Sequence, residues 1–283
     1  MSGRFSLTQL GRTALGPVSA RADESRRPDR LFDDRLAAAF VHATGSESFL
    51  FAENERARLL RAMGDYLAIR TRFFDDYLRQ ACRQGCRQVV LVAAGLDTRS
   101  FRLRLPVGVR VFELDRSDVL DFKEKVLADE APTPSCQRIV LRTDLADDWT
   151  RDLQTAGFRP AEPTAWLVEG LLVYLDGRVT DDLFAALTEL SADGSRAGID
   201  DSGAALLRSD AMRAELGDSP PAGITGYSHT VPVRDRLAEH GWRHVIDHDI
   251  ADLAVRYGRP PPAAFPPSRA TTDARGGLVL AER

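Results

Sequence analysis

The stretch Gln88 to Leu103, Gln-Val-Val-Leu-Val-Ala-Ala-Gly-Leu-Asp-Thr-Arg-Ser-Phe-Arg-Leu, constrains this chain more than any other. Its apolar run, Val89 to Val92, reads as a strand buried on both faces. Ala93, Ala94 and Gly95 follow, then Asp97 as a potential helix N-cap, then Phe101, Leu103 and Leu105 before Pro106. Small residues at a strand end let a ligand lie against the backbone. The pattern equally fits an ordinary strand–turn of an α/β protein, so its meaning depends on the rest of the chain.

At 283 residues the chain is long enough for one large domain or two small ones. Hydrophobic residues make up 43% and charged residues 28%, the balance of a globular protein that folds in water. A formal charge of −4 offers no global attraction to nucleic acid or an anionic membrane, so neither is expected as a partner. No apolar run approaches the roughly 18 residues of a membrane span. The N-terminus is polar and broken by Gly11, Gly16 and Pro17, unlike a secretory leader. Cys82, Cys86 and Cys136 are sparse and odd in number, which fits thiols in a reducing cytoplasm better than a disulfide framework.

Taken in order, the first 28 residues lack strong periodicity, although Arg21-Ala-Asp-Glu-Ser25 is able to open a helix or a loop. From Pro28, Leu31, Phe32, Leu36, Ala39 and Phe40 give a helical stripe that Gly45 and Ser46 break. A longer helix is expected from Asn54 to Gln84, ended by Gly85. Within it Arg72 stands beside Asp75 and Asp76. Residue chemistry alone favours a surface ion pair there over a guanidinium reaching a ligand carboxylate.

A second strand, Arg110 to Leu114, carries Glu113 and is followed by Asp115; the two acids share a face if the strand continues. An acid at this place is able to accept hydrogen bonds from a ribose, or is a solvated loop acid. A third strand, Ile139 to Leu141, ends in Thr143-Asp144-Leu145, which suits an adenine or simply caps a turn. A fourth, Thr164 to Val168, ends in Glu169-Gly170, with Tyr174 in the apolar run after it. Asp181 to Leu190 reads as a helix and Arg196 to Asp200 as a fifth strand. Strand and helix therefore alternate up to residue 200, which implies an α/β fold with a parallel sheet covered on both faces. Beyond it, residues 202 to 228 are rich in Gly and Pro, with one possible helix near Ala204 to Leu216. Val233 to His240 reads as a helix, His244 to Ile250 as a strand and Gly277 to Ala281 as a last strand.

His240, His244 and His248 recur every four residues, but Gly241-Trp242 interrupts them and a strand reading removes the common face, so no metal site is expected. Arg72, Gly95, Glu113 or Asp115, Asp144 and Glu169 lie mostly at successive strand ends, where open α/β sheets bind ligands. Together they favour a nucleoside-bearing cofactor with a charged tail. A nicotinamide is disfavoured because the Gly-x-Gly-x-x-Gly turn is missing.

These residues carry a resemblance. The chain resembles bacterial S-adenosylmethionine-dependent methyltransferases related to leucine carboxyl methyltransferase, including antibiotic-biosynthesis O-methyltransferases. The matching stretches are Arg21-Ala-Asp-Glu-Ser, Arg27-Pro-Asp-Arg-Leu-Phe, Arg70-Thr-Arg-Phe-Phe-Asp-Asp, Ala94-Gly-Leu-Asp-Thr-Arg, Phe112-Glu-Leu-Asp, Asp121-Phe-Lys and Val168-Glu-Gly-Leu-Leu-Val-Tyr-Leu, in family order.

The resemblance implies a Rossmann-like class I methyltransferase fold with a mostly parallel seven-stranded sheet. It also implies one domain: a helical N-terminal cap (1–85), a cofactor-binding core (86–200), a lid insertion after the fifth strand (201–232) and a C-terminal helix and hairpin (233–283). S-adenosyl-L-methionine is the implied cofactor. Arg72 would hold its methionine carboxylate, Ala93 and Gly95 would admit it to the first strand, and Asp115 or Glu113 would hold the ribose. Asp144 and Leu145 would frame the adenine, Glu169 and Gly170 would line the methionine end, and Tyr174 would face the reacting methyl. Family members often have Gly-Ala-Gly where this chain has Ala93-Ala94-Gly95. The implied acceptor is a small molecule, methylated on a carboxylate. A phenol or alcohol acceptor would need a base, for which His229 is the candidate. A protein carboxyl group as acceptor, or a non-catalytic relative of the fold, are the alternatives.

Overall fold

The computed structural model describes residues 14–44, 55–202, 231–262 and 277–283, together with Asp210, Ala214, Ala264 and Phe265. At its centre are two strands read correctly from their apolar runs, β1 (Gln88–Val92) and β4 (Thr164–Val168). Every residue of both is buried, as parallel strands covered on two faces require. β2 (Arg110–Asp115) and β3 (Gln137–Arg142) extend the sheet on one side. β5 (Arg196–Asp200), β7 (Leu278–Glu282) and β6 (Arg243–His248) extend it on the other.

The order is β3-β2-β1-β4-β5-β7-β6, seven strands, with β7 antiparallel to both neighbours. This is the Rossmann-like class I methyltransferase architecture expected above. The strand order reverses between β1 and β4, which pair directly with Val92 opposite Val168. Crossovers leave these two strands in opposite directions, so their carboxyl ends border a crevice.

Alternating residues of each strand feed two cores. On one face Val89, Leu91, Val111, Ala165 and Leu167 pack with Phe73, Phe74, Tyr77 and Leu78 of α3 (Glu55–Arg83), and with Ile250 and Leu253 of α9 (Ile250–Arg256). On the other, Val90, Val92, Phe112, Trp166 and Ile199 meet α6 (Trp149–Thr155), α7 (Gly177–Glu189) and α8 (Val233–Glu239). α3 ends at Gly85, whose φ of 116° suits a residue without Cβ. A third core joins α1 (Leu15–Arg26) and α2 (Arg35–Ala43) to α5 (Ser117–Glu130) through Val18, Ala22, Phe40, Phe122 and Val126.

Three local expectations are corrected. α1 forms where no periodicity was evident, with Pro17 in its first turn, where a missing N–H costs no helical bond. The second helix starts at Arg35 rather than near Pro28, because Asp34 caps it by accepting from Ala37 N at 3.2 Å; Leu31 and Phe32 lie in the connector. β6 and β7 are not a simple hairpin. α9 intervenes, capped by Asp249, which accepts from Ala251 N at 2.7 Å and Asp252 N at 3.1 Å. Apart from Asp210 and Ala214, the helix expected near Ala204 to Leu216 lies outside the described residues, as does most of the expected lid insertion. No described helix is long and apolar enough to cross a membrane.

Candidate active site

The turn after β1 has a demanding backbone. Ala93 at φ 55° and Gly95 at φ 52° both lie in the left-handed region. That is ordinary for glycine and costs an alanine roughly 1 kcal/mol. The turn is fastened to β2: Ala94 N donates to Leu114 O at 2.8 Å and Gly95 N to Asp115 Oδ2 at 2.6 Å. Asp97 then accepts from Arg99 N at 2.6 Å and leads into α4 (Arg99–Arg102). A Cβ placed on Gly95 would meet Ala14 Cβ at 3.6 Å, so α1 begins directly over this turn.

Asp115 stands at the carboxyl end of β2, its other oxygen accepting from Arg116 N at 2.7 Å. Burial pushes its carboxyl above the usual range despite the two backbone donors that favour the anion. Glu113 is two residues earlier and does not reach this edge. It is fully buried among Lys123 Nζ (2.8 Å), Arg138 Nη2 (2.8 Å) and Ser100 Oγ (2.6 Å). Burial raises its carboxyl, but Lys123 and Arg138 outweigh that and hold it below its ordinary value. Glu113 is thus committed to structural partners, and of the two acids read as ribose partners only Asp115 stands at the strand end. Beyond β3, Asp144 accepts from Ala146 N at 3.0 Å and faces Arg116 Nη1 at 3.5 Å, while Leu145 packs on the sheet.

The largest departure concerns Arg72. Its Nε donates to Asp76 at 2.9 Å, its Nη1 donates to the Leu31 carbonyl at 2.9 Å, and its guanidinium lies 5.5 Å from the Tyr257 ring centroid. It faces the N-terminal connector, away from the strand ends. Arg70, two residues earlier on α3, faces the strand ends instead. Its Nε donates to Glu169 Oε1 at 2.9 Å and its Nη1 to Asp200 Oδ2 at 2.8 Å. Burial disfavours its charge, but Tyr66, Glu169 and Asp200 outweigh that and hold the guanidinium ionised.

Sequence reasoning missed Arg70, and the signal was there. It fills the gap in the apolar stripe between Leu67 and Phe74, where a helical period of three to four demands a core-facing residue. A charge on that stripe needs a buried partner. Asp200, the last residue of β5, is one: it also accepts from Tyr66 OH at 3.1 Å and from Gly170 N at 3.1 Å. Gly170 has φ 67°, and a Cβ there would press on Arg70 Nη1 at 3.3 Å. Tyr174 closes the short 3-10 turn Leu172–Tyr174 after this corner and is partly exposed.

Glu169 is held from its other side by Arg99, whose Nη1 donates to Oε2 at 2.7 Å. Arg99 also bonds Asp97 and reaches Asp75 Oδ1 at 2.8 Å; Asp75 in turn is gripped by Arg102. Burial raises the Asp97 carboxyl, but Arg99 and Arg102 overcome this and bring it to about 2. The carboxyl edge of β4 is thus lined by guanidinium and carboxylate groups paired with one another.

His229 lies outside the described residues. His240, His244 and His248 do not converge: one follows α8, one has φ 49° within β6 and one ends that strand. Among the described residues no cluster suits a metal ion. The three cysteines are thiols, with Cys82 and Cys86 buried.

The family model described as leucine carboxyl methyltransferase matches residues 14–188. A protein of Parafrankia sp. (strain EAN1pec), assigned as an S-adenosyl-L-methionine-dependent methyltransferase, is 46% identical over 266 residues, covering 91% of this chain and 84% of its own. One from Saccharopolyspora erythraea, assigned likewise, is 43% identical over 258 residues, covering 89% of each chain. Among solved structures, a DUF574 family protein from Streptomyces avermitilis MA-4680 superimposes with a TM-score of 0.56 at 14% identity, covering 96% of this chain and 97% of the other. The match to the family model across β1 to α7 and the near full-length identity to these relatives establish that this chain belongs to the leucine carboxyl methyltransferase family.

Proposed function

We propose that this chain is an S-adenosyl-L-methionine-dependent O-methyltransferase acting on a carboxylate of a small natural-product intermediate. The observation that carries the reading is the family match, because it spans the whole strand-edge arrangement from the Gly95 turn to the Glu169 corner. The residues present fit the cofactor. The Gly95 turn brings backbone within reach of a ligand, Asp115 offers a carboxylate where a ribose would lie, and Leu145 with Asp144 borders the adenine position. Arg70 and Glu169 form a pair into which the two ends of a zwitterionic amino acid insert, carboxylate toward Arg70 and ammonium toward Glu169.

The bound cofactor supplies a methyl group activated by attachment to a sulfonium. The protein's own part is alignment and exclusion of water, and positioning of this kind contributes on the order of 7–11 kcal/mol. Arg99 holds Glu169 in place at 2.7 Å, so the anchoring carboxylate does not reorganise when a ligand arrives. Tyr174, at the partly exposed end of the β4 corner, faces the reacting group in this reading. A carboxylate acceptor is ionised at neutral pH and attacks without a general base. His229 is needed only if the acceptor is a phenol or alcohol.

Incubation with methyl-labelled S-adenosyl-L-methionine and a panel of small carboxylic acids and phenols tests the reading. Base-labile methyl ester in the extract supports it. Label only on phenols, abolished by His229→Ala, replaces the carboxylate by a hydroxyl acceptor. Label fixed in a protein band moves the acceptor to a protein carboxyl.

A further inference from the structure

Asp34 joins three elements that are far apart in sequence. Its carboxylate is buried, 1% exposed, and caps α2 through Ala37 N at 3.2 Å. The other oxygen accepts from Arg21 Nε of α1 at 2.7 Å and from Thr98 Oγ1 at 2.7 Å. Thr98 belongs to the turn that follows β1. Arg21 reaches the same turn independently, its Nη2 donating to the Leu96 carbonyl at 2.6 Å. Gly95, Leu96 and Thr98 are therefore held between Asp115 on one side and the Arg21–Asp34 pair on the other.

The far side of the same connector is fastened separately. Arg259 donates to Glu24 Oε1 at 2.8 Å, Asp29 Oδ2 at 2.8 Å and the Asp29 carbonyl at 2.7 Å, and Arg72 holds the Leu31 carbonyl. The stretch Arg27 to Asp34 is thus gripped by two sets of contacts, of which only the inner one touches the turn beside Gly95.

We propose that Asp34 is a positioning residue: with Arg21 it sets the height of the Gly95–Thr98 turn, so that the N-terminal helices tune cofactor affinity without touching the reacting atoms. The inference rests on the cofactor reading above. Its physical basis is that the turn holds Ala93 in the left-handed region, and for a residue other than glycine such a conformation persists only where its surroundings hold it. A buried carboxylate bonded at once to a guanidinium and a hydroxyl is a stiff restraint.

The test compares inner and outer contacts in the intact protein, reading S-adenosyl-L-methionine Kd by calorimetry and Tm by thermal unfolding. Thr98→Val removes the hydroxyl link, and Arg21→Met removes the link to Leu96. Each is expected to raise Kd about tenfold, the scale of one lost charge-assisted hydrogen bond. Arg259→Met is expected to lower Tm and leave Kd within about twofold. Arg21→Lys, which restores the charge facing Asp34, is expected to recover part of the affinity lost in Arg21→Met. Should either inner variant fail to fold, Asp34→Asn gives the same readout, since asparagine caps α2 as well as aspartate does. Unchanged Kd in the inner variants, or Kd losses that track Tm alike in inner and outer variants, overturns the proposal. Absence of binding by the unaltered protein overturns the cofactor reading itself, a different outcome.

Discussion

Arg70 donates to Glu169 at 2.9 Å, joining the middle of α3 to the carboxyl end of β4 across 99 residues of sequence. Both groups are largely buried and both have second partners, Asp200 for Arg70 and Arg99 for Glu169. Neither charge is stranded if the direct pair opens, and the proposed cofactor reading has a zwitterionic ligand enter between them. Glu169→Gln should weaken S-adenosyl-L-methionine binding at least tenfold and destabilise the fold by about 1–3 kcal/mol, because Arg70 and Arg99 each lose a charged acceptor. Calorimetry and urea unfolding check the two effects separately.

Arg72→Ala should behave differently. Its ion pair with Asp76 is half exposed, and exposed pairs of this kind contribute at most about 1 kcal/mol. The substitution is expected to leave cofactor affinity unchanged and to lower Tm slightly, through loss of the bond to Leu31 O. A tenfold loss of affinity would return the carboxylate-binding role to Arg72.

Acid should unfold the protein through its buried ion pairs. Burial raises the Asp97 carboxyl, but Arg99 and Arg102 bring it to about 2, below its ordinary value of 3.8. A folded-state pKa below the unfolded one means the stabilisation is complete above about pH 4 and is lost as pH falls toward 2. Asp75 and Glu113 are lowered as well and act in the same sense. Asp97 alone contributes about 2 kcal/mol. Urea midpoints measured from pH 6 to 2.5 should fall steeply below about 4, with a shallower slope in Asp97→Asn.

Gly198 sits in β5 beneath the α3 aromatic rings. A Cβ there would lie 2.7 Å from Tyr77 Cε1 and 2.9 Å from its Cδ1. Tyr77 is not at liberty to swing aside, because its hydroxyl donates to Trp166 O at 2.9 Å in β4. Gly198→Ala should therefore cost about 1–3 kcal/mol by overpacking, read as a lower urea midpoint with an unchanged slope. A neutral result would show that α3 slides on the sheet more easily than this packing allows.

Burial pushes the Cys82 thiol up to about 12 and those of Cys86 and Cys136 up to about 11. Thiolate is the reactive form, so native protein at pH 8 should react slowly with iodoacetamide and rapidly once unfolded. Prompt labelling of the native chain would contradict this packing.

The sheet is legible because its central strands β1 and β4 are nearly continuous apolar runs, Val89–Val92 and Ala165–Val168; Arg196–Asp200 has no such run and is legible instead from its place after an amphipathic helix. Helix α1 was not, since its buried face is made of Gly16, Ser19, Ala20, Ala22 and even Glu24 alongside Leu15 and Val18. Its burial depends on partners far away in sequence, such as Arg259 against Glu24. The site was half legible for a related reason. Acids at strand ends announce themselves by position, as Asp115 and Glu169 did. Which of two arginines two residues apart faces the strands depends on the rotation of α3, and Arg70 is distinguished from Arg72 only by the apolar stripe it interrupts. Glu113 illustrates the limit: strand alternation gave its face, but its capture by Lys123 and Arg138 depends on residues from α5 and β3.

In the proposed reading Arg70 anchors the carboxylate of S-adenosyl-L-methionine at the β4 edge. The most direct test of this role is calorimetric titration of the unaltered protein with S-adenosyl-L-methionine and with its decarboxylated form, alongside Arg70→Met. Saturable one-site binding of S-adenosyl-L-methionine is predicted, with at least tenfold weaker binding of the decarboxylated form and loss of that preference in Arg70→Met. Equal affinity for the two compounds, or no binding of either, would rule out this role for Arg70.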